Sequence, residues 1–211
     1  MGADPELEPH VVVFDVNVYL DIAGLVEQPF TWQQFDDLAG AVMSQPNPHP
    51  KDARLDSLRA VAVSRSGQLC RDVKLEVWTS SHIDNLVLGK AQTVVPDCNG
   101  ALWTKENAIE LHDTLVNDLV YDLSSGGSVG EIKIAVGNPP LDHEDGCVFA
   151  TAMRAGEDDP ALRFCVTRDT QFRESSSELH PRVSVVYPHE YLQMVLLARK
   201  PSRLPIGTVG R

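Results

Sequence analysis

The sequence predicts an α/β domain with a mostly parallel central sheet. Two observations carry that expectation. The runs "VVVF" (Val11–Phe14), "LRFCVT" and "RVSVVY" are rich in β-branched residues and nearly continuous in apolar character, as strands covered on both faces are. Segments with helical spacing separate them, so strands and helices alternate along the chain. No internal repeat interrupts that order.

At 211 residues the chain has room for one domain with a sizeable core and hardly for two. The expected organisation is a single domain over 1–198, with helical insertions at about 24–75 and 96–137, and a basic, flexible tail at 199–211.

Taken in order, the buried strand Val11–Phe14 leads into a helix from about Asn17. "TWQQFDDLAGAVM" has helical spacing, "SQPNPHPKD" is a proline-punctuated break, and "ARLDSLRAVAVSRSG" is an amphipathic helix ending at Gly67. Together these form the first insertion, expected as a helical insertion or lid over the functional edge. "LEVWTS" is a strand, and Ser80 or Ser81 caps the helix "HIDNLVLGKAQT". "TKENAIELHDTLVNDLVYDL" is a long helix capped by Thr104, "SSGGSVG" a flexible turn, and "EIKIAV" an alternating short strand. "NPPLDHEDGCVFATAMRAG" is a proline-stopped loop entering a helix that ends near Gly156. After the strands "LRFCVT" and "RVSVVY", the helix "PHEYLQMVLLAR" carries Pro188 in its first turn.

The composition is ordinary for a globular protein, 43% hydrophobic and 23% charged, and no stretch approaches the ~20 apolar residues of a membrane span. "MGADPELEPH" lacks the basic-then-apolar order of a secretory signal, so no membrane association and a cytoplasmic location are expected. Cys70, Cys98, Cys147 and Cys165 are scattered and form no C-x-x-C pair. Reduced, buried thiols fit better than disulfides or a zinc site. The net charge of −12 argues against a protein that presents broad basic surface to nucleic acid. Either nucleic acid is not the substrate, or the basic surface is local and the acidic excess includes a metal-binding cluster.

In open α/β sheets, functional groups collect at the carboxyl ends of the strands. Asp15 ends the first strand, Asp169 follows "FCVT", and Asp145 lies in the first turn of the helix after "PPLD". Converging carboxylates repel one another, so such a site makes sense with a divalent cation. Oxygen-only ligands select Mg²⁺ or Mn²⁺ over zinc. Such a cation activates water and stabilises charge developing on a phosphate.

"VVVFDVNVYL" resembles the opening D-x-N motif of PIN-domain ribonucleases. "LDHEDGCVFATA" is similar to their D-x-x-D motif before an apolar helix, and "FCVTRDTQF" to their T-x-D at a strand end. "VVYPHEYLQMVL" looks like the strand, proline and helix that close the fold. "VWTSSHIDNLVL" stands where the family's second acid lies, with Asp84 the nearest carboxylate and Asn85 an alternative occupant. The resemblance spans Val11 to Ile22, Val77 to Ala91 and Asn138 to Leu197, about half of the chain. The blocks 24–75 and 96–137 have no counterpart in the small toxin-type members.

The resemblance implies a three-layer α/β/α PIN-like fold and metal-dependent hydrolysis of RNA. It implies Asp15, Asp145 and Asp169 as ligands of Mg²⁺ or Mn²⁺, with Asp84 a fourth catalytic acid. Asn17 and Thr167 orient carboxylates or waters, and Asp142 supports the metal through water. It also brings VapC-like toxins into view, and with them an antitoxin protein and a homodimer as expected partners.

Plainer roles stand beside these. Asp142 and Asp145 have the spacing of a helix cap and its third residue, Asp169 suits a turn, and Asp84 a solvated helix face. His143 and Glu144 read as helix-start surface. Trp32, Trp78 and Trp103 read as packing rather than base-stacking platforms. Arg168 either approaches a scissile phosphate or makes a surface ion pair. A haloacid-dehalogenase-type phosphatase needs a second Asp where Asn17 stands, and a later lysine motif that is missing. A PIN-like module acting only through partners is the third alternative.

Overall fold

Val11, Val12, Val13 and Phe14 are fully buried in strand β1 (His10–Phe14), a central strand with a parallel neighbour on each side. Burying each such side chain is worth roughly 1.5–3 kcal/mol. That gain outweighs the cost of holding a carboxylate at the strand's end.

The structure is a computed structural model that describes residues 9–44, 52–71, 73–93, 101–156 and 162–200. Among these residues the sheet runs β2 (Gln68–Cys70), β3 (Val73–Thr79), β1, β5 (Leu162–Val166), β6 (Val183–Val186). A two-residue strand, β4 (Gly127–Ser128), pairs parallel with the end of β3. Val12 faces Val77 on one side and Phe164 on the other, which fixes the register of the three central strands. Only β2 runs antiparallel, so the sheet is mixed but mostly parallel, as expected.

Helix α1 (Val16–Ala23) follows β1, and α2 (Trp32–Met43) and α3 (Arg54–Ser64) precede β2. Helix α4 (Ser81–Ala91) follows β3. Helix α5 (Lys105–Leu111) continues into a π-helical segment, His112–Leu123. Helices α6 (His143–Arg154), α7 (Thr170–Ser176) and α8 (Pro188–Ala198) flank the last two strands. α3 packs on α1 and α8, while α6 packs on α4 and on β1, β3 and β5. This arrangement is compatible with three layers.

The helix starts follow the residues that favour them. Ser80 is the cap of α4, accepting from the Ile83 amide, and Thr104 caps α5 by accepting from Asn107. Among the described residues no helix is long and apolar enough to cross a membrane. Cys147 and Cys165 are buried free thiols, Cys70 is half-buried, and Cys98 lies outside the described residues.

Several expectations need correction. "EIKIAV" is not a strand: Ile134 is 71% exposed, and the Val136 amide donates to the Gly146 carbonyl within α6. Alternation alone could not reveal that Ile134 has no core to face while Val136 packs against it. The strand lies instead in the segment expected as a flexible turn. A Cβ on Gly126 would stand 1.8 Å from the Val77 carbonyl oxygen, so only glycine lets that backbone reach β3.

The block at 24–75 is not simply a lid, since Leu58, Ala60 and Val61 of α3 are fully buried in the core and β2 joins the sheet. Its proline-rich break, 45–51, lies outside the described residues. The long helix after Thr104 widens at His112, where buried positions recur at spacings of four and five residues: Leu111, Leu115, Val116, Leu119, Val120. Arg199, expected in the flexible tail, is tied to the fold by hydrogen bonds to the Val63, Gln68 and Leu69 carbonyls. Residues 201–211 of the tail lie outside the described residues.

Candidate active site

Asp15 is 95% buried at the carboxyl end of β1, and each of its oxygens is held. Oδ1 accepts from the Val16 amide at 2.6 Å, which caps α1. Oδ2 accepts from Asn17 Nδ2 at 2.5 Å and from Thr167 Oγ1 at 2.7 Å. Asn17 Nδ2 also donates to Thr167 Oγ1 at 3.0 Å, and Asn17 Oδ1 accepts from the Arg168 amide at 3.1 Å. One asparagine thus joins the ends of β1 and β5. The D-x-N spacing makes this possible, because the side chain of Asn17 turns back from the first turn of α1.

Burial raises the Asp15 carboxyl to about 6, despite the opposing hydrogen bonds from Thr167 and the Val16 amide. The charge of Glu144 adds to the rise.

Asp145 lies at the third position of α6, half-buried. Its carboxyl is pushed up to about 7, first by burial and then by the negative charges of Asp142, Asp15, Asp169 and Glu144. The sequence-predicted acids Asp15, Asp145 and Asp169 therefore share one electrostatic neighbourhood. The plainer roles hold as well: Asp142 Oδ1 caps α6 by accepting from the Asp145 amide at 2.8 Å, and Asp169 Oδ1 caps α7 by accepting from Phe172 at 3.0 Å. The Asp169 amide in turn donates to Thr167 Oγ1 at 2.9 Å. Capping uses one oxygen of each carboxylate and leaves acceptor capacity on the other.

Asp84 is engaged elsewhere. Its Oδ1 accepts from Thr79 Oγ1 at 2.7 Å and lies 3.5 Å from His112 Nε2, at the start of the π-helical segment. It is not among the charges that bear most on Asp15 or Asp145. Burial works against the charged form of His112, yet Asp84 and Asp113 outweigh it and raise its pKa. Asn85, the alternative, is exposed.

Two relationships escaped the sequence reading. Asp21, 3% exposed on α1, accepts from Ser57 Oγ at 2.6 Å and pairs with the Arg168 guanidinium. Arg168 is therefore drawn along α1 instead of standing free for a phosphate. An acid in the otherwise apolar stretch "VNVYLDIA" was the available signal. Glu144, expected as plain surface, pairs with Lys90 of α4, which brings a cation beside the acids. His143 approaches His82 edge-on at 6.1 Å. Trp103 is buried, while Trp32 bonds Asp118 and lies under Arg65, consistent with packing roles.

The donor set is oxygen-only, and burial together with neighbouring negative charge raises Asp145, which is the chemistry of a hard divalent cation site. Among the described residues, however, no three His, Cys, Asp or Glu side chains are gathered about a common point close enough to hold an ion. The donors fit such an ion in kind and in neighbourhood. Compared with family models, curated proteins and solved structures, the chain finds no match.

Proposed function

We propose that the protein is a metal-dependent ribonuclease of the PIN type, hydrolysing RNA phosphodiesters at the carboxyl edge of its parallel strands. The observation that carries this reading is that Asp15, Asp145 and Asp169, from three separate elements, share one electrostatic neighbourhood, with Asn17 and Thr167 fixing Asp15. Acids raised by burial, and in Asp145 by neighbouring negative charges as well, are costly to keep ionised unless a cation uses them.

In this reading Asp15, Asp145 and Asp169 hold Mg²⁺ or Mn²⁺. When bound, that ion supplies a Lewis acid that activates water and stabilises phosphoryl charge. Asn17 and Thr167 hold the Asp15 carboxylate in one orientation, and Asp142 orients the first turn of α6 so that Asp145 faces the others. Lys90 offsets Glu144 at the rim. Asp84, clamped by Thr79 and His112, takes a supporting place. An antitoxin or a second copy as partner, and a cytoplasmic location, are extensions of the toxin-type analogy alone.

The test is cleavage of assorted RNAs with and without Mg²⁺ or Mn²⁺ by the intact chain, alongside Asp15→Asn and Asp145→Asn. The expected result is metal-dependent cleavage that falls at least a hundredfold in both variants. Cleavage indifferent to both substitutions would remove the site. Phosphate released from small phosphomonoesters instead would point to the phosphatase.

A further inference from the structure

A cavity of about 250 Å³ opens beside this site, lined by Ala53, Asp56, Arg168, Tyr187, Pro188 and His189. Its place in the fold ties it to the carboxylates. Arg168 immediately precedes Asp169, and its amide bonds the same Asn17 that holds Asp15. Tyr187 directly follows β6, so the cavity lies at the same carboxyl edge, one strand beyond β5.

Its walls are aromatic and fixed. The Tyr187 hydroxyl donates to Thr170 Oγ1 at 3.2 Å, and the Arg173 guanidinium lies 4.6 Å from the centre of the Tyr187 ring. The His189 ring runs nearly parallel to Tyr187, 15° off, with centres 5.7 Å apart. Arg173 is itself held by Glu190. The contacts to Thr170 and Arg173 hold the Tyr187 ring in place, which lowers the entropic cost of binding a flat ligand beside it.

The charges argue against a second phosphate here. Arg168 is already paired with Asp21, and the Asp56 carboxylate in the wall is itself 3.8 Å from Arg59, so the lining holds no spare cation for a phosphate. Together Arg168, Asp56 and His189 offer donors and acceptors around an aromatic surface. That combination suits a neutral planar ring with a hydrogen-bonding edge. The volume falls below the ~300–1,000 Å³ of sites for drug-sized ligands, so it admits one ring system.

We infer that this cavity is a base subsite, taking one unpaired nucleobase of single-stranded RNA next to the scissile phosphate. The inference rests on the ribonuclease reading for the identity of the ligand, and makes His189 and Tyr187 specificity residues outside the carboxylate cluster.

Fluorescence anisotropy of end-labelled homopolymeric RNA hexamers of A, C, G and U, with the intact chain in EDTA, tests it without turnover. His189→Ala and Tyr187→Ala are expected to weaken binding roughly five- to hundredfold and to flatten the ranking among the four bases. Tyr187→Phe, which keeps the ring, retains both, and circular dichroism checks that each variant is folded. Unchanged affinity and ranking in His189→Ala and Tyr187→Ala would overturn the subsite, as would failure of all four hexamers to bind. Cleavage assays separate the two ideas. Metal-dependent cleavage with base preference unaltered by these variants sinks the subsite alone, whereas base-selective binding with no cleavage under any metal sinks the chemistry alone.

Discussion

Thr167 Oγ1 donates to Asp15 Oδ2 at 2.7 Å, joining residues 152 positions apart at the ends of adjacent parallel strands. The hydroxyl is fully buried and also receives the Asp169 and Asn17 donors. Thr167→Val keeps the shape and removes all three contacts. It is expected to cost about 1–3 kcal/mol in urea unfolding at pH 7. It also raises the Asp15 carboxyl further, visible as an upward shift in an NMR titration of that group.

Burial lifts Asp15 from its ordinary 3.8 to about 6, so between those values the folded chain keeps a proton the unfolded chain has lost. The resulting stability is full below about pH 4 and is lost as pH rises through about 6, roughly 3 kcal/mol in all. Asp145, raised to about 7, acts in the same direction. Metal-free protein is therefore expected to show a lower urea midpoint at pH 8 than at pH 5 on account of these groups. Asp15→Asn flattens the difference, and Mg²⁺ or Mn²⁺ raises the midpoint at pH 8 far more than at pH 5. A midpoint indifferent to both ions at pH 8 would count against a cation at these acids.

Arg168→Met leaves the Asp21 carboxylate with Ser57 as its near partner in a buried position. Burial already raises the Asp21 pKa, and Arg168 opposes that rise, so the variant raises it again. The expected loss is about 2–4 kcal/mol at pH 7, shrinking at a lower pH where Asp21 takes up a proton. Thermal unfolding at the two pH values measures it. An equal loss at both would mean the arginine acts through packing.

Gly126 and Gly89 make a contrasting pair. An alanine Cβ at Gly126 would strike the Val77 carbonyl oxygen, so Gly126→Ala is expected to cost about 3 kcal/mol or more and to loosen the β3–β4 pairing. Gly89 lies within α4 with nothing inside 4 Å of the added carbon. Gly89→Ala is expected to gain about 0.5–1 kcal/mol, read from the same unfolding curves.

The central strands were legible because burial on both faces writes itself as unbroken runs such as "VVVF", and their flanking helices because Ser80, Thr104 and Pro188 are strong start signals. The carboxylates were legible because strand ends in a parallel sheet share one edge. What stayed hidden depends on distant partners. Nothing local in "SSGGSVG" reveals that β3 waits to pair with it, and nothing in "EIKIAV" reveals the absence of a core beneath Ile134. Asp84 stands in the helix start after β3, but its environment is set by His112, 28 residues on, where the helix changes its winding.

The span between Asp15 and Thr167 also has a consequence in time. At a synthesis rate of about 5–20 residues per second, Asp15 leaves the ribosome roughly 8–30 s before the hydroxyl that will hold it. Throughout that interval the acid has neither β5 nor Asp169 beside it. A nascent chain that stops short of β5 therefore carries every residue of the first strand and none of the assembled edge, so any chemistry there waits for the last third of the chain.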